Sequence, residues 1–163
     1  MTYRLAVIGG GNMGAALVGG LLGAGWAVAD LAIVEVLPSR VEELRTMFPG
    51  VALSTEIPAC EAALVAVKPY DVPAACTAAV AAGAKRLLSI AAGVSIATLQ
   101  QAAGAGVAVV RSMPNTPALI GKGIAGLYAR PAVTADERAA VEQLLKPTGQ
   151  TLWVDREDDL DAV

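Results

Sequence analysis

Short apolar runs alternate along the chain with longer segments of helical spacing. The first run, Tyr3-Arg-Leu-Ala-Val-Ile8, becomes β-branched toward its end and stops at Gly9-Gly10-Gly11, which predicts a buried strand entering a tight turn. Over 12–22 small and apolar residues recur at helical spacing until Gly23 and Gly25 break the pattern, as at a helix C-terminus. The alternation repeats with a strand over 31–36, a helix over 38–47 opened by Pro38, and a short strand over 51–53. A strand over 63–67 ends at Lys68-Pro69, Asp71 is placed to cap a helix reaching about residue 80, and 86–90 is the next strand. Ser95 caps a helix to residue 103, 107–111 is a strand and 112–117 a loop. Strands over 123–128 and 151–154 bracket a helix over 135–145 capped by Thr134.

Strands alternating with helices of this length predict an α/β fold: a Rossmann-type, mostly parallel sheet with helices on both faces, binding ligands at the carboxyl ends of its strands. The last residues, 155–163, read as an acidic helix opening with Asp158 as cap. A helix that short is not stable alone. The expected organisation is therefore a dinucleotide-binding domain over 1–154, with 155–163 starting a linker or helix that leads into a further domain.

Composition narrows the chemistry. The 163 residues suffice for one core that buries roughly two-thirds of the unfolded surface without staples. Apolar residues make up 55% of the chain but aromatics only 4%, so the helices are expected to pack closely on the sheet through Ala and Gly. A net charge of −3 with scattered Lys and Arg gives no nucleic-acid footprint. The apolar stretch over 72–84 is interrupted by Pro73, Thr77 and Gly83 and is too short for a membrane span, and no basic segment precedes a long apolar run at the N-terminus. A cytoplasmic protein is expected. Cys60 and Cys76 lack metal or redox spacing and read as buried reduced thiols. The absence of His removes His-based acid–base, nucleophilic and metal chemistry from the chain, and no metal is expected.

The segment Gly9-Gly10-Gly11-Asn12-Met13-Gly14, between strand and helix, fits G-x-G-x-x-G. Gly9 permits the turn, Gly11 lets backbone approach a pyrophosphate, and Gly14 lets helix and strand pack closely, with the phosphates on the helix N-terminus. Past the second strand, Glu35 suits the adenosine ribose of NAD, whereas Ser39 and Arg40 suit the 2′-phosphate of NADP. A carboxylate beside a 2′-phosphate repels it unless Glu35 faces away, so both readings stay open, as does a solvated Glu beside a helix-start Arg. Ala66, Val67, Lys68 and Pro69 lie at a strand's carboxyl end, where they line the crevice between ribose and nicotinamide or form an ordinary solvated loop. Asn115 and Thr116, stiffened between Pro114 and Pro117, either hold a carboxamide or carboxylate or satisfy their own backbone.

With these residues in view, the chain resembles the N-terminal domain of the pyrroline-5-carboxylate reductase family from end to end. The matching segments are Val7-Ile-Gly-Gly-Gly-Asn-Met-Gly14, Ala66-Val-Lys-Pro69, Ser89-Ile-Ala-Ala-Gly-Val94, Arg111-Ser-Met-Pro-Asn-Thr-Pro117 and Asp158-Asp-Leu-Asp-Ala-Val163. The second and fourth carry most of the resemblance. It implies NAD(P)H-dependent reduction of the small-molecule substrate 1-pyrroline-5-carboxylate to L-proline, the end of proline biosynthesis, with NADP as cofactor and NAD as the alternative. It further implies that Gly9, Gly10, Gly11, Asn12 and Met13 hold the pyrophosphate; Ile8 and Gly14 at the ends of that loop, and Ser39 and Arg40 from the residue reading, complete the expected cofactor-binding set. Ala66 to Pro69 would flank the ribose and nicotinamide, and Ile90, Ala91 and Ala92 the nicotinamide's surroundings. Asn115 would help position the nicotinamide end. Catalytic groups and the contacts of a homodimer or higher oligomer would come from a helical second domain, so this domain alone is expected to be inactive. One departure stands out: where the family commonly has a small polar residue before the Pro of the second-strand loop, this chain has Leu37, preceded by Val36. A related imine or β-hydroxyacid dehydrogenase, and a non-catalytic nucleotide-binding module, are the competing readings.

Overall fold

The computed structural model describes residues 1–114 and 122–162. Among these, eight strands form one sheet in the order β3-β2-β1-β4-β5-β6-β7-β8. The strands are β1 (Tyr3–Ile8), β2 (Leu31–Val34), β3 (Ala52–Ser54), β4 (Cys60–Val65), β5 (Arg86–Ser89), β6 (Ala108–Met113), β7 (Gly123–Ala129) and β8 (Gly149–Trp153). The helices between them are α1 (Asn12–Gly23), α2 (Pro38–Met47), α3 (Val72–Ala81), α4 (Ile96–Ala103) and α5 (Ala135–Leu145). Neighbouring strands run parallel except β6 and β7. The expected mostly parallel Rossmann-type sheet is borne out.

Two cores follow from the two-residue period of a strand, which sends alternate side chains to opposite faces. Leu5 and Val7 of β1 join Leu31 and Ile33 of β2 under Leu17 and Leu21 of α1, Leu44 of α2 and Leu145 of α5. Ala6 and Ile8 point the other way, with Ala63 and Val65 of β4, against Val72 and Cys76 of α3 and Leu99 of α4. Removing one such leucine from water is worth about 2 kcal/mol, so each face is held by several mutually dependent contacts.

Some boundaries differ from the sequence expectation for identifiable reasons. The second strand ends at Val34, because Glu35 and the residues after it turn away to open α2. The fourth strand starts earlier and ends earlier, at Cys60–Val65, because Cys60 and Ala62 already pair with Tyr3 and Leu5. Ser112 and Met113, expected in a loop, continue β6 because the antiparallel return of β7 pairs them with Leu127 and Gly126. Asp71 precedes α3 but lies in a 3-10 turn (Pro69–Asp71) and makes no side-chain cap bond. The acidic C-terminal segment is a 3-10 stretch, Glu157–Ala162, in which Glu157 rather than Asp158 meets a helix N-terminus. By contrast Ser95 and Thr134 cap as expected, Thr134 in a reciprocal capping box with Glu137.

Candidate dinucleotide site

The sheet order reverses between β1 and β4: the chain passes from β1 to β2 and β3 on one side, then returns to β4 on the other. Loops leaving the two central strands diverge there and open a crevice. Gly9 begins the first loop with φ +106°, and a Cβ on it would lie 2.5 Å from the Ala66 carbonyl oxygen, so the loops after β1 and β4 touch. A Cβ on Gly14 would run into the Gly9 carbonyl oxygen, and one on Gly10 would come within 2.5 Å of the buried Leu44 side chain.

Gly11 is different. It is the N-cap of α1, with ordinary extended angles (φ −69°, ψ −167°), and no described atom lies within 4 Å of where its Cβ would be. Neither backbone conformation nor packing asks for glycine here. The space it leaves open adjoins the first turn of α1, whose N–H groups lack intrahelical acceptors and receive no cap from a side chain. Such a concavity accepts an anion, so the residues present fit the pyrophosphate of a dinucleotide.

Glu35 braces this loop rather than facing solvent. Its Oε1 accepts from the Gly10 N–H at 3.1 Å, while Oε2 accepts from the N–H groups of Val36 at 2.9 Å and Leu37 at 3.1 Å. From the other side, Arg40 donates through Nε to the Gly10 carbonyl at 2.7 Å and through Nη1 to Glu43 at 2.9 Å. The Gly10 peptide is thus held at both ends. The amides beside Leu37 are already occupied, and Arg40 is already paired, while Ser39 is exposed.

The remaining predicted residues lie along the same rim, apart from Asn115, which lies outside the described residues together with Thr116 and Pro117. Ala66 and Val67 are half-buried and Lys68 and Pro69 exposed. The Ala66 N–H donates to Ile8 O at 2.8 Å and the Ile90 N–H to Val65 O at 3.1 Å, which ties the β4 and β5 loops to the ends of their neighbours. The Ala91 N–H reaches the buried Ser89 hydroxyl at 3.3 Å, and Ala92 is exposed.

A polar cluster beside this rim escaped the sequence reading. Arg111 of β6 is buried, and its Nη1 donates to Glu157 Oε2 at 3.0 Å. The same oxygen accepts from the Ile96 N–H, at the start of α4, at 2.6 Å. The Arg111 Nε and the neighbouring Ser112 hydroxyl are buried with no partner among the described residues. The available signal was an Arg placed directly after the apolar run Val107-Ala-Val-Val110, with an acidic segment downstream to neutralise it.

The thiols of Cys60 and Cys76 are free and buried. Burial pushes both up, Cys76 to about 11, so they stay neutral near pH 7 and are poor nucleophiles. Among the described residues no cluster of acidic or Cys side chains is placed to hold a metal, and no helix is long and apolar enough to cross a membrane.

This sheet order and glycine loop define the class: an α/β domain of the dinucleotide-binding type. Residues 4–93 match the family described as NADP oxidoreductase, coenzyme F420-dependent, and the chain belongs to that family. Within it, the chain is 36% identical to the pyrroline-5-carboxylate reductase of Haemophilus influenzae, covering 100% of this chain and 62% of the relative. It is 38% identical to that of Mycobacterium leprae, covering 98% and 57%. Among solved structures, a pyrroline-5-carboxylate reductase from Coxiella burnetii superposes with a TM-score of 0.88 at 26% identity, over 99% of this chain and 62% of that one. The chain thus spans about 60% of the length of these relatives. The resemblance read from the motifs is borne out.

Proposed function

We propose that this chain is the nucleotide-binding part of an enzyme that reduces 1-pyrroline-5-carboxylate to L-proline, with NADPH, or alternatively NADH, as hydride donor. The observation carrying the reaction is the match to pyrroline-5-carboxylate reductases over essentially the whole chain. The domain runs over 1–154, and 155–163 lead toward the substrate-binding and dimer-forming part of the enzyme. A reduced nicotinamide supplies the hydride for a C=N bond.

The chain's own residues bind and orient. Ile8 to Gly14 receive the pyrophosphate, with Gly11 leaving room and the first turn of α1 donating N–H groups. Glu35 and Arg40 fix the Gly10 peptide and, with Ser39, border the adenosine ribose. Ala66 to Pro69 and Ile90 to Ala92 flank the nicotinamide half, and Asn115 contributes at its end. No side chain of this set is assigned a proton transfer, and the domain alone is expected to be inactive.

Titrating the chain with NADPH and NADH, followed by tryptophan fluorescence and calorimetry, tests the nucleotide premise. Binding at micromolar concentration is expected; none below millimolar contradicts it. An assay of a longer chain that also supplies the rest of the relatives' length is expected to show proline formation. Nucleotide binding without proline formation in that chain contradicts the proposed reaction and leaves a related imine or β-hydroxyacid dehydrogenase, or a non-catalytic module, as the reading.

A further inference from the structure

A cavity of about 720 Å³ lies well away from the glycine loop, between α1 and α5. Its floor is the amino-terminal part of the sheet: Leu5, Ala62, Leu88 and Val110 on one face of β1, β4, β5 and β6. It lies on the face opposite α3 and α4, where α1 meets the turn after α5 with Gly20 packed against Pro147. Between them the sheet carries two small residues, Ala62 and Ala108, in register on either side of Arg86. Small floor residues under a gap between helices leave volume that no side chain fills.

The lining is mostly apolar and carries three cations. Arg4 lies over the Trp26 ring at 3.8 Å, Arg86 rises from the floor and Lys146 sits at the far wall. None of the three belongs to any ion pair found among the described residues. The one carboxylate in the lining, Glu137, is engaged by the Thr134 N–H at 2.8 Å in the capping box of α5. A positive rim on a chain of net charge −3 calls for an anion, and the apolar floor calls for a hydrocarbon body. The volume is in the range that encloses small organic ligands.

We propose that this groove is a second ligand site, which binds a small carboxylate carried on an apolar body. The body lies on Ala62, Ala108 and Val110 against Leu144, and the carboxylate meets Arg86. The site is separate from the nucleotide rim, and its occupation does not depend on the function proposed above.

The test uses octanoate as probe, 1-octanol as its uncharged counterpart, calorimetry, and amide chemical shifts of the isotope-labelled chain. Saturable binding with a Kd on the order of 1 mM is expected for a ligand of this size. The amides of residues 20, 24, 62 and 141 should shift, and those of 9–13 should not. Octanol should bind at least about fivefold more weakly, and Arg86→Glu should weaken octanoate about tenfold. Ala140→Trp, at an exposed position of α5 that lines the groove, should block binding while leaving the fold intact. Absence of saturable shifts in the groove overturns the proposal, as do shifts centred elsewhere. Equal affinity for octanol, or indifference to Arg86→Glu, also overturns it, since either means apolar adhesion without recognition of the anion.

Discussion

The two concave regions of this domain are made of different materials. At the carboxyl ends of the strands the surface is backbone: an uncapped helix start, the open space at Gly11, and peptide groups held in place by Glu35, Arg40 and Ser89. Between α1 and α5 the surface is side chain: alanines, leucines and valines rimmed by cations. A backbone site has to be braced, because peptide groups left unsupported find other partners. An apolar groove needs only that neighbouring elements stop short of each other. The first region should therefore respond to loss of polar braces, and the second only to changes of volume and charge.

The largest effect expected from this difference is at Glu157, which neutralises buried Arg111 and receives the Ile96 N–H. Glu157→Ala leaves a buried guanidinium uncompensated and should cost about 3–5 kcal/mol in urea unfolding. Replacing both partners, with Arg111→Met added, should recover most of that loss, because the penalty comes from the unpaired charge more than from the missing attraction. A double variant as unstable as the single one would show that Glu157 acts chiefly through the Ile96 amide.

Next in size is the contrast between Gly11 and Gly14. Gly11→Val places a side chain in open space, so stability should change by no more than about 1 kcal/mol, the range of N-cap substitutions. Nucleotide affinity should nevertheless fall about 100-fold, or about 2.7 kcal/mol, because the added methyls occupy the space proposed for the pyrophosphate. Gly14→Val drives a side chain into the Gly9 carbonyl and should lose stability and affinity together. Unchanged affinity in Gly11→Val would remove the main physical reason for placing the pyrophosphate there.

The contrast of materials also explains what was legible in the sequence. The strand, glycine turn and helix over residues 3–23 were readable because each constraint is local: a β-branched run, a positive φ at Gly9, a close approach at Gly14. The loops at 66–69 and 90–92 were readable as strand ends. Arg111 with Glu157 was not, because 46 residues separate them and the apolar run before Arg111 marks a buried cation without naming its partner. The groove had no signature either. It draws on several strands and on both α1 and α5, and its volume comes from alanines that look like ordinary small core residues. For Glu35 two opposed roles stayed open, since the choice depended on which way one side chain turned.

That side chain supports the smallest of the predicted effects. Its carboxylate fills the Val36 and Leu37 amides, so neither is free to donate to a 2′-phosphate, and Arg40 is already drawn toward Glu43. A 2′-phosphate must enter against the Glu35 charge and compete for Arg40, whereas a 2′-hydroxyl meets neither cost. Glu35→Gln keeps the shape, removes the charge, and retains an amide oxygen for at least one backbone donor. The ratio of NADPH to NADH affinity should rise about fivefold, close to 1 kcal/mol, almost entirely through tighter NADPH binding and with a steeper dependence on salt. If both nucleotides weaken equally, Glu35 serves only to brace Gly10, and selection between the two cofactors is made by other residues.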